Sequence, residues 1–183
     1  MAPQKRALII TTNFGVEEQE LTRPLADLTE AGVDVTVAST GGGEIQTVSG
    51  DKDWASVVQA DTALARAHAE DYDLLVIPGG TVNADTLRGD SDARRLLSDF
   101  ARDHKSVGAI CHGPWLTIDA GVARGKTLTS WKSLHPDLEN AGATWVDQEV
   151  KVCPANGWTL ITSRSPADLP AFDKALVEAL SGD

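Results

Sequence analysis

Short, uniformly apolar runs alternate with amphipathic segments along this chain, and that alternation constrains the fold more than any other feature. Residues 6–12 (RALIITT), 73–78 (DLLVIP) and 107–110 (VGAI) are short with unbroken apolar centres, and 33–39 (VDVTVAS) is a short Val-rich run. Flanking turn residues mark them as strands rather than helix fragments. Strands without a polar face must be covered on both sides, which is the situation of a parallel sheet between helices. The intervening segments supply the cover. Residues 17–31 place Leu21, Leu25 and Leu28 on one helical face and stop at Gly32. Further helices are predicted over 91–104, 114–120, 134–141 and 165–180, with a short one over 61–69. A β excursion is predicted over 45–58 after the turn Gly41-Gly42-Gly43. Short strands follow at 127–130, 144–147, 150–153 and 158–162, the last two joined by Asn156-Gly157. The pattern predicts an α/β fold with a mostly parallel sheet, and 183 residues suit one domain spanning 1–183.

Charge and cysteine usage narrow the function classes. The 27 acidic residues outnumber the 16 Lys and Arg, for a net charge of -11. That balance argues against phosphate backbones and anionic membranes as partners, because both demand a basic face. Two cysteines, Cys111 and Cys153, are too few for a disulfide scaffold. No apolar stretch has the length of a signal peptide core or a membrane span, so a soluble cytoplasmic protein with reduced thiols is expected. His68, His104 and His135 have no metal-ligand spacing with the cysteines, and neither metal nor cofactor is expected.

In parallel sheets, sites form at the carboxyl ends of strands. Three features fall there: the loop after Thr12, Pro78-Gly79-Gly80, and Cys111-His112. At Cys111 a strand breaks straight into Gly113-Pro114, a helix start, which predicts an elbow that projects the sulfur. A helix N-terminus beneath it would favour the thiolate. Glu17, Glu18 and Glu20 open the first helix, as acids suit a helix start. Alternatively, one of them lies beside Cys111 as a protonated carboxyl donating to sulfur, which requires a raised pKa. The N–H groups of Gly79, Gly80 and His112 form either an oxyanion hole or a plain turn. A direct Cys111–His112 pair is not expected from adjacent residues on a sharp turn, so His112 handles substrate protons or is structural. Cys153, in an alternating strand, reads as a structural thiol. Trp131, Trp145 and Trp158 read as core or interface residues.

Five segments in order, 71–80 (DYDLLVIPGG), 109–115 (AICHGPW), 124–131 (RGKTLTSW), 140–147 (NAGATWVD) and 162–170 (TSRSPADLP), resemble the ThiJ/PfpI superfamily. The resemblance is to its branch of PfpI-type intracellular proteases and bacterial general stress proteins. It implies a flavodoxin-like three-layer sandwich, a domain of the class I glutamine amidotransferase type, and a reactive cysteine at Cys111. The superfamily's acid that hydrogen-bonds this sulfur falls on Glu20, and a second acid of the branch on Glu17. An acid that the branch donates across a subunit interface falls on Asp85, with one residue inserted after Gly80. Homodimers or larger homo-oligomers are therefore implied. The activities implied are hydrolysis or isomerisation of methylglyoxal-type adducts, as a deglycase or glyoxalase acting on small aldehydes or glycated protein and nucleotide. Alternatives are a cysteine peptidase, and a redox sensor or chaperone without turnover.

Overall fold

The computed structural model of the protein describes residues 4–182. The chain runs through β1 (Arg6–Thr11), β2 (Phe14–Glu17), α1 (Glu18–Glu30), β3 (Asp34–Ser39), β4 (Gly43–Ser49) and β5 (Asp53–Ala60). Next come β6 (Thr62–Ala63), β7 (Leu74–Ile77), α2 (Thr81–Gly89), α3 (Ser91–Arg102), β8 (Ser106–Ile110) and α4 (Trp115–Asp119). The last third contains β9 (Thr127–Leu128), α5 (His135–Asn140), β10 (Thr144–Trp145), β11 (Val150–Cys153), β12 (Leu160–Ser163) and α6 (Leu169–Ser181).

Seven strands form the central sheet in the order β11-β12-β8-β7-β1-β3-β6, parallel throughout except for β11 against β12. The period-two geometry of a strand divides its side chains between two layers. Along β1, Leu8 and Ile10 join Leu96, Leu97 and Phe100 of α3 and Leu87 of α2. Ala7 and Ile9, on the opposite face, join Leu21 and Leu28 of α1 and Phe172 and Leu176 of α6. All four β1 side chains are fully buried. Each large one contributes about 1.5–3 kcal/mol from burial, so neither helical layer is dispensable. Gly108 sits on β8 under α6, and a Cβ there would come within 3.1 Å of Phe172 Cζ. This glycine lets α6 lie close to the middle of the sheet.

The α/β architecture and mostly parallel sheet agree with expectation, and three elements do not, the shortest being β2, which pairs with β4 where a loop after Thr12 is expected. Residues 61–69 form no α-helix: Thr62 and Ala63 pair with β3, followed by 3-10 turns at Leu64–Arg66 and Ala69–Asp71. The Asp61 carboxylate accepts the Val37 N–H at 2.8 Å, which ties this alanine-rich segment to the sheet edge and overrides its helical propensity. Conversely, α2 has no clear apolar stripe in the sequence. Its buried face includes Asn83, whose Oδ1 accepts the Thr12 N–H at 2.8 Å and the Thr11 hydroxyl at 2.7 Å. The Asn83 amide donates to Gly79 O at 2.9 Å, so a single buried side chain joins the end of β1 to the turn after β7. A second sheet, β2-β4-β5, carries the antiparallel β4–β5 hairpin. Its tip holds Gly50 and Asp51 at positive φ, 61° and 62°. No helix among the described residues is long and apolar enough to cross a membrane.

Candidate active site

Cys111 follows β8 directly and has φ 61°, the left-handed region that L-residues other than Asn and Asp seldom enter. Two long-range backbone bonds hold it there. Its N–H donates to Ser163 O at 3.0 Å, and its carbonyl accepts from Trp131 N at 2.8 Å. Strain of this kind persists only where the surroundings over-determine it. The sulfur-bearing residue is 7% exposed, at the floor of a cleft of about 260 Å³. Glu17, Glu20, Gly50, Asp51, Gly80, His112, Trp131 and Pro166 complete the lining.

Glu20, in the first turn of α1, is fully buried beside Cys111. Its Oε2 accepts the Gly79 N–H at 2.7 Å, while Oε1 has no partner. Burial, followed by the neighbouring Glu17 charge, pushes its pKa up from 4.5 to about 8. The carboxyl is therefore protonated at neutral pH, with a hydrogen to donate and the Cys111 sulfur close by. This bond has a consequence for the expected oxyanion hole: the Gly79 N–H is already committed to Glu20. The N–H groups of Gly80 and His112 are the two that face the sulfur. Gly79 has to be glycine for a related reason, since a Cβ would lie 2.6 Å from Glu20 Oε2 and 2.8 Å from Cys111 Cβ. Glu17 accepts the Gly50 N–H at 2.9 Å, which pins the β4–β5 tip over the cleft. Burial raises its pKa, against the pull of hydrogen bonds from Gly50 and Asp51.

The sequence argued against a direct contact between Cys111 and His112, yet Sγ lies 3.2 Å from His112 Nδ1. The positive φ at Cys111 accounts for the difference, because it swings the chain so that consecutive side chains converge. The expected acidic sulfur is also corrected. Burial, then the charge of Glu20 when ionised, push the Cys111 thiol far up, while backbone N–H groups of His112 and Gly80 pull the other way. The helix beyond is only five residues and begins at Trp115, so it supplies little dipole. Burial pushes the His112 pKa down, against the pull of Asp51. Burial thus favours the uncharged forms of both the thiol and the imidazole. Trp131, expected in the core or at an interface, forms a cleft wall, stacked on His112 at 6.0 Å between centroids. Trp115 meets the same imidazole edge-on at 5.3 Å.

Asp85 is exposed on α2 and does not line the cleft within the chain. Cys153 is buried, and its sulfur accepts the Thr127 N–H at 3.3 Å, in keeping with a structural thiol. Two residues the sequence did not single out are beside His112. Thr81 Oγ1 is 3.3 Å from His112 Nε2, and Asp51 bonds to Thr81. The Gly50-Asp51 pair signals a turn, but nothing in the sequence says that the turn reaches the cleft. Among the described residues, no cluster of three or more His, Cys, Asp or Glu is placed to hold a metal. Taken together, the cleft offers a thiol, a base 3.2 Å from it, a buried protonated acid and two backbone N–H groups. That set suits addition of sulfur to an electrophilic carbon with the developing oxyanion held by the backbone.

A doubly covered α/β sheet with a strained cysteine at the carboxyl end of its inner strand β8 defines the class. The DJ-1/PfpI family pattern matches residues 5–179, and the chain belongs to that family. It is 40% identical to general stress protein 18 of Bacillus subtilis over 171 residues, covering 93% of this chain and 94% of that one. It is also 40% identical to protein/nucleic acid deglycase 2 of Escherichia coli over 177 residues, covering 97% and 98%. The crystal structure of Drosophila melanogaster DJ-1beta superimposes with a TM-score of 0.85 at 33% identity, covering 99% of this chain and 92% of that one.

Proposed function

We propose that this protein is a cysteine-dependent hydrolase acting on methylglyoxal-type aldehydes or their adducts on amines and thiols. Cys111 is the nucleophile. His112 Nδ1 takes the thiol proton as sulfur bonds to the aldehyde-derived carbon, and the oxygen gains negative charge beside the Gly80 and His112 N–H groups. Glu20 holds a hydrogen toward sulfur and exchanges protons with the adduct as hydrogen moves from the first carbon to the second. Water then cleaves the resulting thioester, so a three-carbon ketoaldehyde and one water leave as a hydroxy acid. An amine-bound adduct releases its amine when sulfur displaces it.

The observation that carries this reading is the size and content of the cleft. About 260 Å³ around a Cys–His pair and a buried acid is below the usual range for drug-sized ligands, about 300–1,000 Å³. It accommodates a three-carbon adduct better than the extended peptide a protease must admit. The similarity to a deglycase points the same way. Asp85, on the surface of α2, remains accessible to a second copy of the chain. The test is turnover of methylglyoxal, glycated peptide and casein by wild type and Cys111→Ala. Aldehyde turnover lost in a folded variant is expected. Turnover retained by that variant would refute the assignment, and casein cleavage without aldehyde turnover would establish a peptidase.

A further inference from the structure

A second polar chain starts on the other ring nitrogen of His112. Thr81 Oγ1 lies 3.3 Å from Nε2. The same hydroxyl is 2.7 Å from Asp51 Oδ2, and the Thr81 N–H donates to Asp51 Oδ1 at 2.7 Å. Hydrogen counting then assigns the imidazole. A threonine hydroxyl has one hydrogen, and a carboxylate can only accept. The hydroxyl hydrogen is therefore committed to Asp51, and Thr81 Oγ1 can only accept from His112. Nε2 must carry the ring hydrogen, which leaves the lone pair on Nδ1, 3.2 Å from the Cys111 sulfur.

We propose that Thr81 and Asp51 are positioning residues of the cleft: they fix His112 as the Nε2–H tautomer and stabilise the imidazolium formed when Nδ1 accepts the Cys111 proton. The proposal rests on Cys111 as the nucleophile. In the step, the S–H bond breaks and an Nδ1–H bond forms. The Nε2 hydrogen stays in place, donating to Thr81, whose hydroxyl donates to Asp51. Capping α2 would explain only the bond from the Thr81 N–H to Oδ1. It requires neither the hydroxyl bond nor the approach to Nε2. The hairpin tip is also held from its other side, by Glu17 on the Gly50 N–H at 2.9 Å. Glu17 from β2, Glu20 from α1, Cys111 and Asp51 are the titratable groups around the imidazole in the cleft. Asp51 is the one whose charge favours its protonated form.

The test reads Cys111 directly, by its alkylation rate with iodoacetamide against pH and by nitrogen-15 NMR of His112. Neither depends on which substrate the protein turns over, so a failure of the aldehyde reading leaves both measurements intact. Thr81→Val should slow alkylation at pH 7 about tenfold, the loss of one hydrogen bond to a charged group. Thr81→Ser should restore the rate. Thr81→Val should also release the tautomer, so that nitrogen-15 NMR reads a mixture of Nδ1–H and Nε2–H forms of His112 in place of Nε2–H alone. Wild-type His112 should titrate as Nε2–H. In Asp51→Asn the new amide donates to Thr81, whose hydroxyl then donates to Nε2, moving the ring hydrogen to Nδ1. A wild-type alkylation rate in Thr81→Val, or an Nδ1–H tautomer in the wild type, overturns the proposal. So does slowing confined to Asp85→Asn, which would place the acid on a second copy.

Discussion

Replacing Glu20 by Gln should make this protein more stable and inactive, with a stability gain that depends on pH in a defined way. The carboxyl is fully buried, with a pKa pushed from 4.5 in water to about 8 in the fold. Below pH 4.5 the group is protonated in both folded and unfolded chains, and ionisation contributes nothing to stability. Between 4.5 and about 8 the unfolded chain releases the proton and the folded chain keeps it. The unfolded state then binds fewer protons, so wild-type stability falls as pH rises, by about 1.4 kcal/mol per unit. At pH 7 the accumulated loss is about 3 kcal/mol, and at pH 8 about 4 kcal/mol. Gln is isosteric and neutral. Its carbonyl keeps the Gly79 N–H, its amide occupies the otherwise unpartnered Oε1 position, and the pH-dependent loss disappears. Urea unfolding of both proteins from pH 4 to pH 8 measures the difference. At pH 7 a gap of about 3 kcal/mol corresponds to roughly 6–12 °C in Tm for a chain of this size. Titrating groups away from the Glu20 charge are common to both proteins and cancel. A stability difference that stays flat from pH 4 to pH 8 would refute the reasoning, because it would mean that Glu20 ionises in the fold as it does in water. Aldehyde turnover in Glu20→Gln should fall by a factor of 100 or more, the scale of a lost proton-transfer group.

Asp173 is a second case of the same sign, outside the cleft. Burial, then Asp27, push its pKa from 3.8 to about 7, and neither carboxyl oxygen has a partner. Asp173→Asn should gain on wild type by about 4 kcal/mol between pH 4 and pH 8, with aldehyde turnover unchanged; a pH-independent difference in urea midpoints would contradict this. Lys126 is fully buried, donates to the carbonyls of Cys153, Ala155 and Trp158, and places its ammonium 3.7 Å from the centre of the Trp158 ring. Lys126→Met strands three carbonyls and should cost about 3–5 kcal/mol; a loss below about 1 kcal/mol in urea unfolding would show that the loop re-pairs them.

The sheet was legible because buried parallel strands are apolar throughout, a pattern that survives without tertiary context. The strand before Cys111 and the turn at Gly79-Gly80 were legible for the same reason: both end such strands. What escaped was set by contacts distant in sequence. Residues 81–89 fold as a helix around buried Asn83, whose partners Thr11 and Thr12 are some 70 positions away. Asp51 meets Thr81 across 30 positions, through a hairpin tip that periodicity cannot aim. In the sequence the Gly79 N–H is open to an oxyanion or a plain turn, because glycine after a strand suggests an open backbone. Only the position of Glu20 reveals that this donor is already used. The Cys111–His112 contact depends on one backbone dihedral, and no residue type encodes that value.

The two backbone bonds that hold Cys111 bear on when its chemistry becomes available during synthesis. Ser163, which accepts its N–H, lies on β12, which pairs with β8 in the sheet but is synthesised well after it. Trp131, which donates to its carbonyl, also follows it in sequence. A growing chain thus carries the cysteine for more than fifty residues without the partner that bends it. Until then the thiol has neither the turn that brings His112 against it nor the closed packing around Glu20. Reactivity thereby waits on chain made long after the cysteine: a product truncated before Ser163 retains every residue of the proposed machinery but lacks the carbonyl that holds the Cys111 N–H.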